Sequence, residues 1–402
     1  MANWIRNTPA LAGQFVPGMP GYRECRRCVM DTSMVEIEFD DEGTCNFCRG
    51  YDLKVKAVEL ASAEKERKLT ALLEAIRADG KGRDYDCILG LSGGVDSSYL
   101  ALKCKDWGLR PLLVQFDNGW NTELANHNIQ VVCEKLGFDL HTYVVDWPEF
   151  RDLQLSFLKA GLANLEAPSD HGIFACIYRE AEAQKIPWLM SGVNNATEAC
   201  CPIGEKSKYR FGYGYRYSDL VHLKAVHRRF GSVRLKTYPM MGILKRMWLE
   251  RKVKIKRFDP LNFLAYDKKA AIAELQERLG WRPYEGKHFE SVITRFHQSY
   301  ILPRKFALDK RRLHLSGLIW SGQLDRAQAL TELARPPCPP EMVEQDRQFF
   351  VKKLRLSESE FDAMMQAEAK EYSDYPNLNR TFNNIPRITH WLRLLVRLGR
   401  KS

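Results

Sequence analysis

No apolar run in this chain of 402 residues approaches the ~20 residues that a membrane-spanning helix needs. The first 22 residues, MANWIRNTPALAGQFVPGMPGY, lack a charged start followed by an apolar stretch, so no secretory signal is expected and a cytoplasmic location is. Eleven cysteines in an intracellular chain of this size argue against a disulfide scaffold, because the cytosol keeps thiols reduced. Metal ligation, catalysis or burial remain for them. The nine histidines form no recognisable metal cluster; His222 and His227 are five apart, not the four that would align them on one helix face. Internal repeats and low-complexity blocks are absent. Acidic residues are scarce in one region: residues 205–257 hold 16 Lys or Arg against 3 Asp or Glu, within a chain of net charge +11. Such a concentrated positive field attracts nucleic acid, phosphorylated or carboxylated small molecules, or an acidic partner surface.

What is present reads as a tail (1–22), a compact cysteine-rich unit (23–51), an α/β domain (52–280) and a helical region (281–402). Helical periodicity runs from about Asp52 to Ala78 and stops at Gly80-Lys81-Gly82. Strands are expected at 85–91 (YDCILGL), 111–117 (PLLVQFD), 139–146, 187–193 and 253–261. Helices are expected between them at 97–108, 121–137, 149–160, 172–185 and 240–252, and the pattern YDKKAAIAELQERLG follows the fifth strand. Strands alternating with helices of this length imply parallel pairing through right-handed crossovers, hence a doubly wound α/β sheet.

The first strand leads into Ser92, Gly93, Gly94, Val95, Asp96, Ser97 and Ser98. A strand, a glycine turn and a helix start together bind phosphate, because backbone N–H groups point outward there and the helix dipole favours negative charge. Gly93 and Gly94 let the backbone approach an anion, the serines can donate hydroxyl hydrogens, and Asp96 can cap the helix or hold Mg²⁺ through water. No lysine follows the glycines, so this is not the common NTPase loop G-x-x-x-x-G-K-[ST]. Gly212-x-Gly214 is no dinucleotide fingerprint either, since no strand and helix flank it.

Cys25-x2-Cys28 and Cys45-x2-Cys48 have zinc-site spacing. Four thiolates close a tetrahedron, and metal binding supplies folding energy that so small a unit lacks. A structural zinc ribbon is expected, with an iron–sulfur cluster as the competing reading. Cys87, Cys104 and Cys133 fall on expected core elements, whereas Cys176, Cys200 and Cys201 fall near the expected active face. The basic segment 388–402 is amphipathic and reads as a docked terminal helix or a helix lying on an anionic membrane.

The SGGVDSS turn resembles the SGGxDS loop of the PP-loop ATP pyrophosphatases, which split ATP into AMP and pyrophosphate. That resemblance implies that Phe116 and Asp117, ending the second strand, lie where adenine and ribose bind, with Gly192 and Asn194 ending the fourth and Arg257 to Leu261 closing the domain. Over residues 23 to 375 the chain is similar to the N-acetyl sugar amidotransferases of bacterial surface-polysaccharide (LPS O-antigen) synthesis. The similarity rests on the double CxxC before SGGVDSS, on DHGIFACIYREA (170–181), SGVNNATE and LKTYP (235–239), and on the string from Gly280 to Leu330. It implies ATP and Mg²⁺ as cofactors with structural Zn²⁺. An acetamido oxygen on an N-acetylated sugar is adenylated, and ammonia then displaces AMP to leave an acetamidino group. Asp96, Lys236, Lys287 and Arg295 are the expected catalytic groups, with Lys305, Lys310 and Arg311 as further candidates for neutralising anions.

No glutaminase motif such as G-x-C-x-G is visible, and the chain begins Met-Ala-Asn rather than with a nucleophilic cysteine. The resemblance therefore implies a separate glutaminase and a cyclase-like subunit similar to those of imidazole glycerol phosphate synthase. The alternative function is a tRNA-thiolating PP-loop enzyme, for which Tyr209 to Tyr217 interleave with basic residues as base stacking requires. A non-catalytic zinc-ribbon adaptor is the third reading, and it leaves the loop unexplained.

Overall fold

The computed structural model describes residues 21–34, 37–55, 59–198 and 219–378. Cys200, Cys201, the aromatic and basic run 209–217 and the segment 388–402 lie outside them. Helix α1 (Asn46–Lys54) begins inside the second cysteine knuckle and α2 (Ser62–Asp79) follows, so the single helix expected from Asp52 to Ala78 is two. The α/β core then alternates: β1 (Cys87–Gly90), α3 (Val95–Asp106), β2 (Pro111–Asp117), α4 (Glu123–Leu136), β3 (Leu140–Val144), α5 (Trp147–Lys159), α6 (Ala167–Ala183) and β4 (Trp188–Met190). After a short turn of helix α7 (Asn195–Glu198) come α8 (Leu220–Phe230), α9 (Ile243–Arg251), β5 (Lys256–Phe258) and α10 (Lys268–Leu279). Helix α6 starts five residues before the expected Gly172, because Pro168 sits in its first turn, where the missing N–H costs nothing.

All five strands are parallel, in the order β3-β2-β1-β4-β5. This is the doubly wound sheet that the alternation predicts. The order reverses between β1 and β4, and ligands of such sheets sit at the carboxyl ends of the strands beside that reversal. Both faces are covered, as parallel sheets require. Cys87 and Leu89 of β1 enter one core with α2, α3, α4 and α10, while Ile88 enters the other with α5, α6 and α8. Gly172 lets α6 lie close against β2: a Cβ there would stand 2.3 Å from Cζ of Phe116.

The helical region is α11 (Val292–Phe296), a π turn (His297–Ile301), α12 (Leu302–Phe306), α13 (Arg311–Trp320), α14 (Arg326–Leu333), α15 (Pro340–Leu354) and α16 (Glu358–Gln366). Its Phe296, Phe306 and Phe350 share the core that holds α5 and α6. Among the described residues no helix is long and apolar enough to cross a membrane.

Candidate active site and candidate metal centre

Beyond β1 the chain makes a tight turn at Gly93, φ +78°, a conformation that L side chains rarely adopt. A Cβ at Gly93 would also stand 2.7 Å from the carbonyl oxygen of Ala125, so the position is closed to side chains twice over. Gly94 then serves as the N-cap of α3 with no side-chain cap, which leaves the first-turn amides to whatever enters the cleft. The serines brace the turn: Ser92 Oγ lies 3.2 Å from Ser97 Oγ, the Gly94 amide donates to Ser92 Oγ at 3.3 Å, and Ser97 Oγ donates to the Gly94 carbonyl at 3.2 Å. An anion placed against this uncapped, glycine-led terminus meets backbone dipoles and hydroxyls together.

The turn opens onto a cleft of about 400 Å³ at the carboxyl end of the sheet, on the reversal between β1 and β4. Its floor is Ser92 to Ser97 and its second wall is Ser191 to Val193. The third wall comes from the segment that follows α10. Trp281 Nε1 and the Tyr284 hydroxyl both donate to the Gly93 carbonyl, at 3.2 and 3.0 Å. The Thr122 amide donates to the Glu290 carbonyl at 2.9 Å, pinning the same segment to the loop before α4. Lys287, His288 and Glu290 therefore face the turn, with Lys268 at the start of α10. A shallow hollow of about 440 Å³ runs along α2, but one helix surface lines it and no groups converge there.

Charges in the cleft are mixed. Asp96 is pushed up by burial and by the charge of Glu198, against the pull of the Tyr266 hydroxyl. Burial and the neighbouring Lys287 push Lys268 down. Burial would raise Glu290, but the bond from His288 and its charge hold it below the usual carboxylate range. Lys287 Nζ lies 3.3 Å from the Thr197 carbonyl and 3.6 Å from Glu198. Two lysines on a surface carrying three carboxylates can neutralise a polyanion, and the carboxylates can hold a divalent cation that arrives with it.

The expected site residues separate into two groups. Ser92, Gly94, Val95, Asp96, Ser97, Gly192 and Lys287 line the cleft, Gly93 shapes its turn, and Asn194, buried, donates to Asp96 at 3.1 Å. Ser98 faces the core, fully buried. Phe116 is buried against Tyr143 and Phe150, and Asp117 accepts from the Gly119 amide at 2.9 Å. Lys236 is exposed on a loop and is not part of the cleft lining. Arg295 is locked in a two-point pair with Asp346, both bonds 2.7 Å, which takes its guanidinium out of the cleft. Lys305 donates to the Met364 carbonyl, Arg311 is held by Asp309, and Lys310 lies 3.8 Å from Glu166. Lys268, His288, Glu290, Tyr266 and Tyr284 were not singled out from the sequence. The string PYEGKHFE, dense in aromatic and charged residues around one glycine, was the available signal.

Cys176 is buried, its thiol pushed up to about 11 by burial and by Glu180, the reverse of an activated thiol.

The four knuckle cysteines are buried with their sulfurs within 4.8 Å of one another. Cys25 and Cys48 Sγ are 3.8 Å apart and Cys28 and Cys45 Sγ 3.7 Å. A tetrahedron with Zn–S bonds of ~2.3 Å has edges of ~3.8 Å, so the spacing of the four thiols is compatible with one zinc ion. Around the knuckles the described residues form two isolated antiparallel bridges, Glu24 with Asp31 and Phe39 with Cys45.

The ribbon is seated on α13 and α14. Arg312 pairs with Asp31 at 2.8 Å and Glu24 at 2.9 Å, and Arg326 pairs with Glu24 at 2.6 Å. Trp320 Nε1 donates to Cys48 Sγ at 3.1 Å.

Fold and cleft together define a doubly wound α/β protein with an uncapped phosphate-type turn at its switch point and a four-thiol centre in an N-terminal ribbon. Residues 290–389 match the family described as LPS biosynthesis protein WbpG-like, C-terminal domain. No curated protein matches the chain. Among solved structures the chain is similar to the NMN synthetase from Francisella tularensis, with a TM-score of 0.35 and 14% identity over 74% of this chain and 98% of that one. It is also similar to the NH3-dependent NAD synthetase from Campylobacter jejuni subsp. jejuni in complex with the nitrate ion, with a TM-score of 0.32 and 11% identity over 73% of this chain and 95% of that one.

Proposed function

We propose that the protein is an ATP-dependent, AMP-forming amidotransferase acting on an N-acetylated sugar of lipopolysaccharide or a related surface glycan. The carrying observation is the SGGVDSS turn itself: Gly93 at positive φ, an uncapped α3 and the lysine-bearing cleft at the switch point form a cradle for pyrophosphate. The match of residues 290–389 to a lipopolysaccharide-biosynthesis domain supports a glycan substrate. An acetamido oxygen attacks the α-phosphorus of Mg-ATP, the bond to the β-phosphate oxygen breaks and pyrophosphate leaves. Ammonia then adds at the acetamido carbon and AMP departs, leaving N in place of O. An amide oxygen is a poor leaving group and AMP a good one, which is what the nucleotide supplies.

In this reading Ser92 to Ser97 hold the departing pyrophosphate, Lys268 and Lys287 neutralise it, and Asp96 binds near Mg²⁺. Ammonia comes from a separate glutaminase with a cyclase-like subunit, in the cytoplasm. Because one side of the ribbon is occupied by α13 and α14, only its outer surface is offered to such a partner.

The test is sugar-dependent exchange of labelled pyrophosphate into ATP, followed by mass analysis after adding ammonium chloride at raised pH. Diacetamido sugar nucleotides, nonulosonic acids and bulk tRNA form the panel. A sugar product with NH in place of O is expected. Turnover with tRNA alone, or none with any sugar, overturns the reading.

A further inference from the structure

The cleft that would cradle pyrophosphate carries more negative charge than an anion site needs. Asp96, Glu198 and Glu290 line it against Lys268 and Lys287, an excess of one carboxylate. Two of the three are taken up by the walls. Asp96 Oδ1 accepts from Tyr266 and Asn194, and Glu198 lies 3.6 Å from Lys287 Nζ. Glu290 stands elsewhere. A Cβ built on Gly94, the N-cap of α3, would meet Ser92 Oγ at 3.3 Å and Glu290 Oε1 at 3.4 Å. The carboxylate thus flanks the same uncapped turn whose amides an anion would take.

The chain on either side holds it there. The Glu290 carbonyl accepts from the Thr122 amide at 2.9 Å and the Thr122 hydroxyl at 3.3 Å. The Val292 amide donates to the Trp120 carbonyl at 2.9 Å, and Asn121 and Ser291 form an antiparallel bridge. His288, two positions back, has a left-handed backbone at φ +64°, which a residue with a β-carbon adopts only at a cost. Its Nδ1 lies 3.4 Å from Glu290 Oε1. Among the described residues the Glu290 side chain has this imidazole as its partner and no amide of the turn. A negative charge is therefore fixed at the edge of the anion site without being neutralised by it.

We propose that Glu290 is a specificity residue of the cleft, repelling a bare polyanion from the turn and admitting one that arrives with a divalent cation. The inference rests on the adenylation reading above and adds to it the form in which the nucleotide and pyrophosphate are accepted. No bond forms or breaks in this selection. Like charges a few ångströms apart in a partly dry cleft repel one another, and a divalent cation reverses the sign of the local excess. Free ATP, free pyrophosphate and other metal-free polyanions are disfavoured, and their magnesium complexes are not.

The full chain, kept free of chelators that would attack the thiol centre, tests this by equilibrium dialysis of labelled inorganic pyrophosphate. Dialysis runs in magnesium-free buffer and at saturating Mg²⁺, with neither sugar nor ammonia present. The readout is the ratio of the two dissociation constants, and the parent is expected to bind the magnesium complex more tightly. Glu290→Gln should lower that ratio by ~10-fold or more by tightening the metal-free form. Glu290→Asp keeps the charge and should keep most of the ratio. A variant whose wall is merely loosened binds both forms less tightly and leaves the ratio unmoved, which overturns the proposal, as does a parent that binds both forms alike. A ratio that falls only because the magnesium complex binds less tightly makes Glu290 a ligand instead of a filter, and overturns it too. A parent that binds neither form overturns the pyrophosphate cradle itself, and the adenylation reading goes with it.

Discussion

The phenol of Tyr266 donates to Asp96 Oδ1 across 2.5 Å, and the amide of Asn194 reaches the same oxygen at 3.1 Å. Three separate pieces of chain meet there: the first turn of α3, the end of β4 and the approach to α10. A carboxylate pushed up by its burial is thus held by donors that favour its ionised form.

Removing one donor should be legible as chemistry more than as stability. Tyr266→Phe is expected to raise Asp96 further, so the acid limb of pyrophosphate exchange moves to higher pH and the Mg²⁺ concentration for half-maximal exchange at pH 7 rises several-fold. Folding should lose about 1.5–3 kcal/mol, the value of one hydrogen bond to a charged group. Mg²⁺ titrations at pH 6, 7 and 8 check this; an identical magnesium requirement at all three would refute it.

The parallel, doubly wound sheet and the turn were legible because both follow from local pattern. YDCILGL and PLLVQFD are apolar runs of strand length followed by turn residues, and SGGVDSS needs only its own backbone to make an anion site. The four thiols were legible for the same reason, since two CxxC pairs bring their own geometry. His288 and Glu290 were not, because they reach the cleft only after Trp281 and Tyr284 tie their segment to the Gly93 carbonyl, some 190 positions away in sequence, and Lys268 enters only through the packing of α10 on α3. Arg295 misled for the converse reason. Its charge suggested an anion, but Asp346 from α15 meets it first. Such pairings are set by packing between distant elements, which single-sequence charge patterns do not encode.

Arg312 carries the seating of the ribbon. Its side chain, 11% exposed, lies between Asp31, itself 2% exposed, and Glu24, and it also donates to the Val29 carbonyl at 2.7 Å. Arg312→Met should destabilise the holoprotein by about 3–5 kcal/mol, because Asp31 is left buried and unpaired. Adding Asp31→Asn should recover most of that loss. Urea unfolding of the parent and the two variants decides it, and an Arg312→Met variant as stable as the parent would show the ribbon held by other contacts.

Trp320 would act on a zinc ion held by the four thiols through the Cys48 sulfur. Its indole N–H donates to that sulfur, where it would offset the charge of a metal-bound thiolate, and its ring stacks on Tyr51 at 5.5 Å, which fixes the donor's direction. Trp320→Phe keeps the ring and deletes the donor. Zinc affinity should fall by ~10-fold or more, measured by competition with a chromophoric chelator. Unaltered affinity would mean that the N–H contributes packing alone.

Lys305 supplies a pH dependence with a defined sign. It is buried in α12, donates to the Met364 carbonyl, and burial lowers it to about 8. An unfolded lysine titrates near 10.4, so between about pH 8 and 10 the unfolded chain binds more protons than the folded one. Stability should therefore rise with pH across that window, while below pH 8 the protonated amine keeps its full burial penalty. One group gives at most about 1.4 kcal/mol per pH unit. Lys305→Met should flatten the rise and leave the variant at least as stable as the parent near pH 7, since the methionine stem fills the same channel and carries no charge to desolvate. Denaturant unfolding at pH 7, 8, 9 and 10 tests both statements, and a parent whose stability falls across this window by the same amount as the variant's would show that Lys305 does not titrate there.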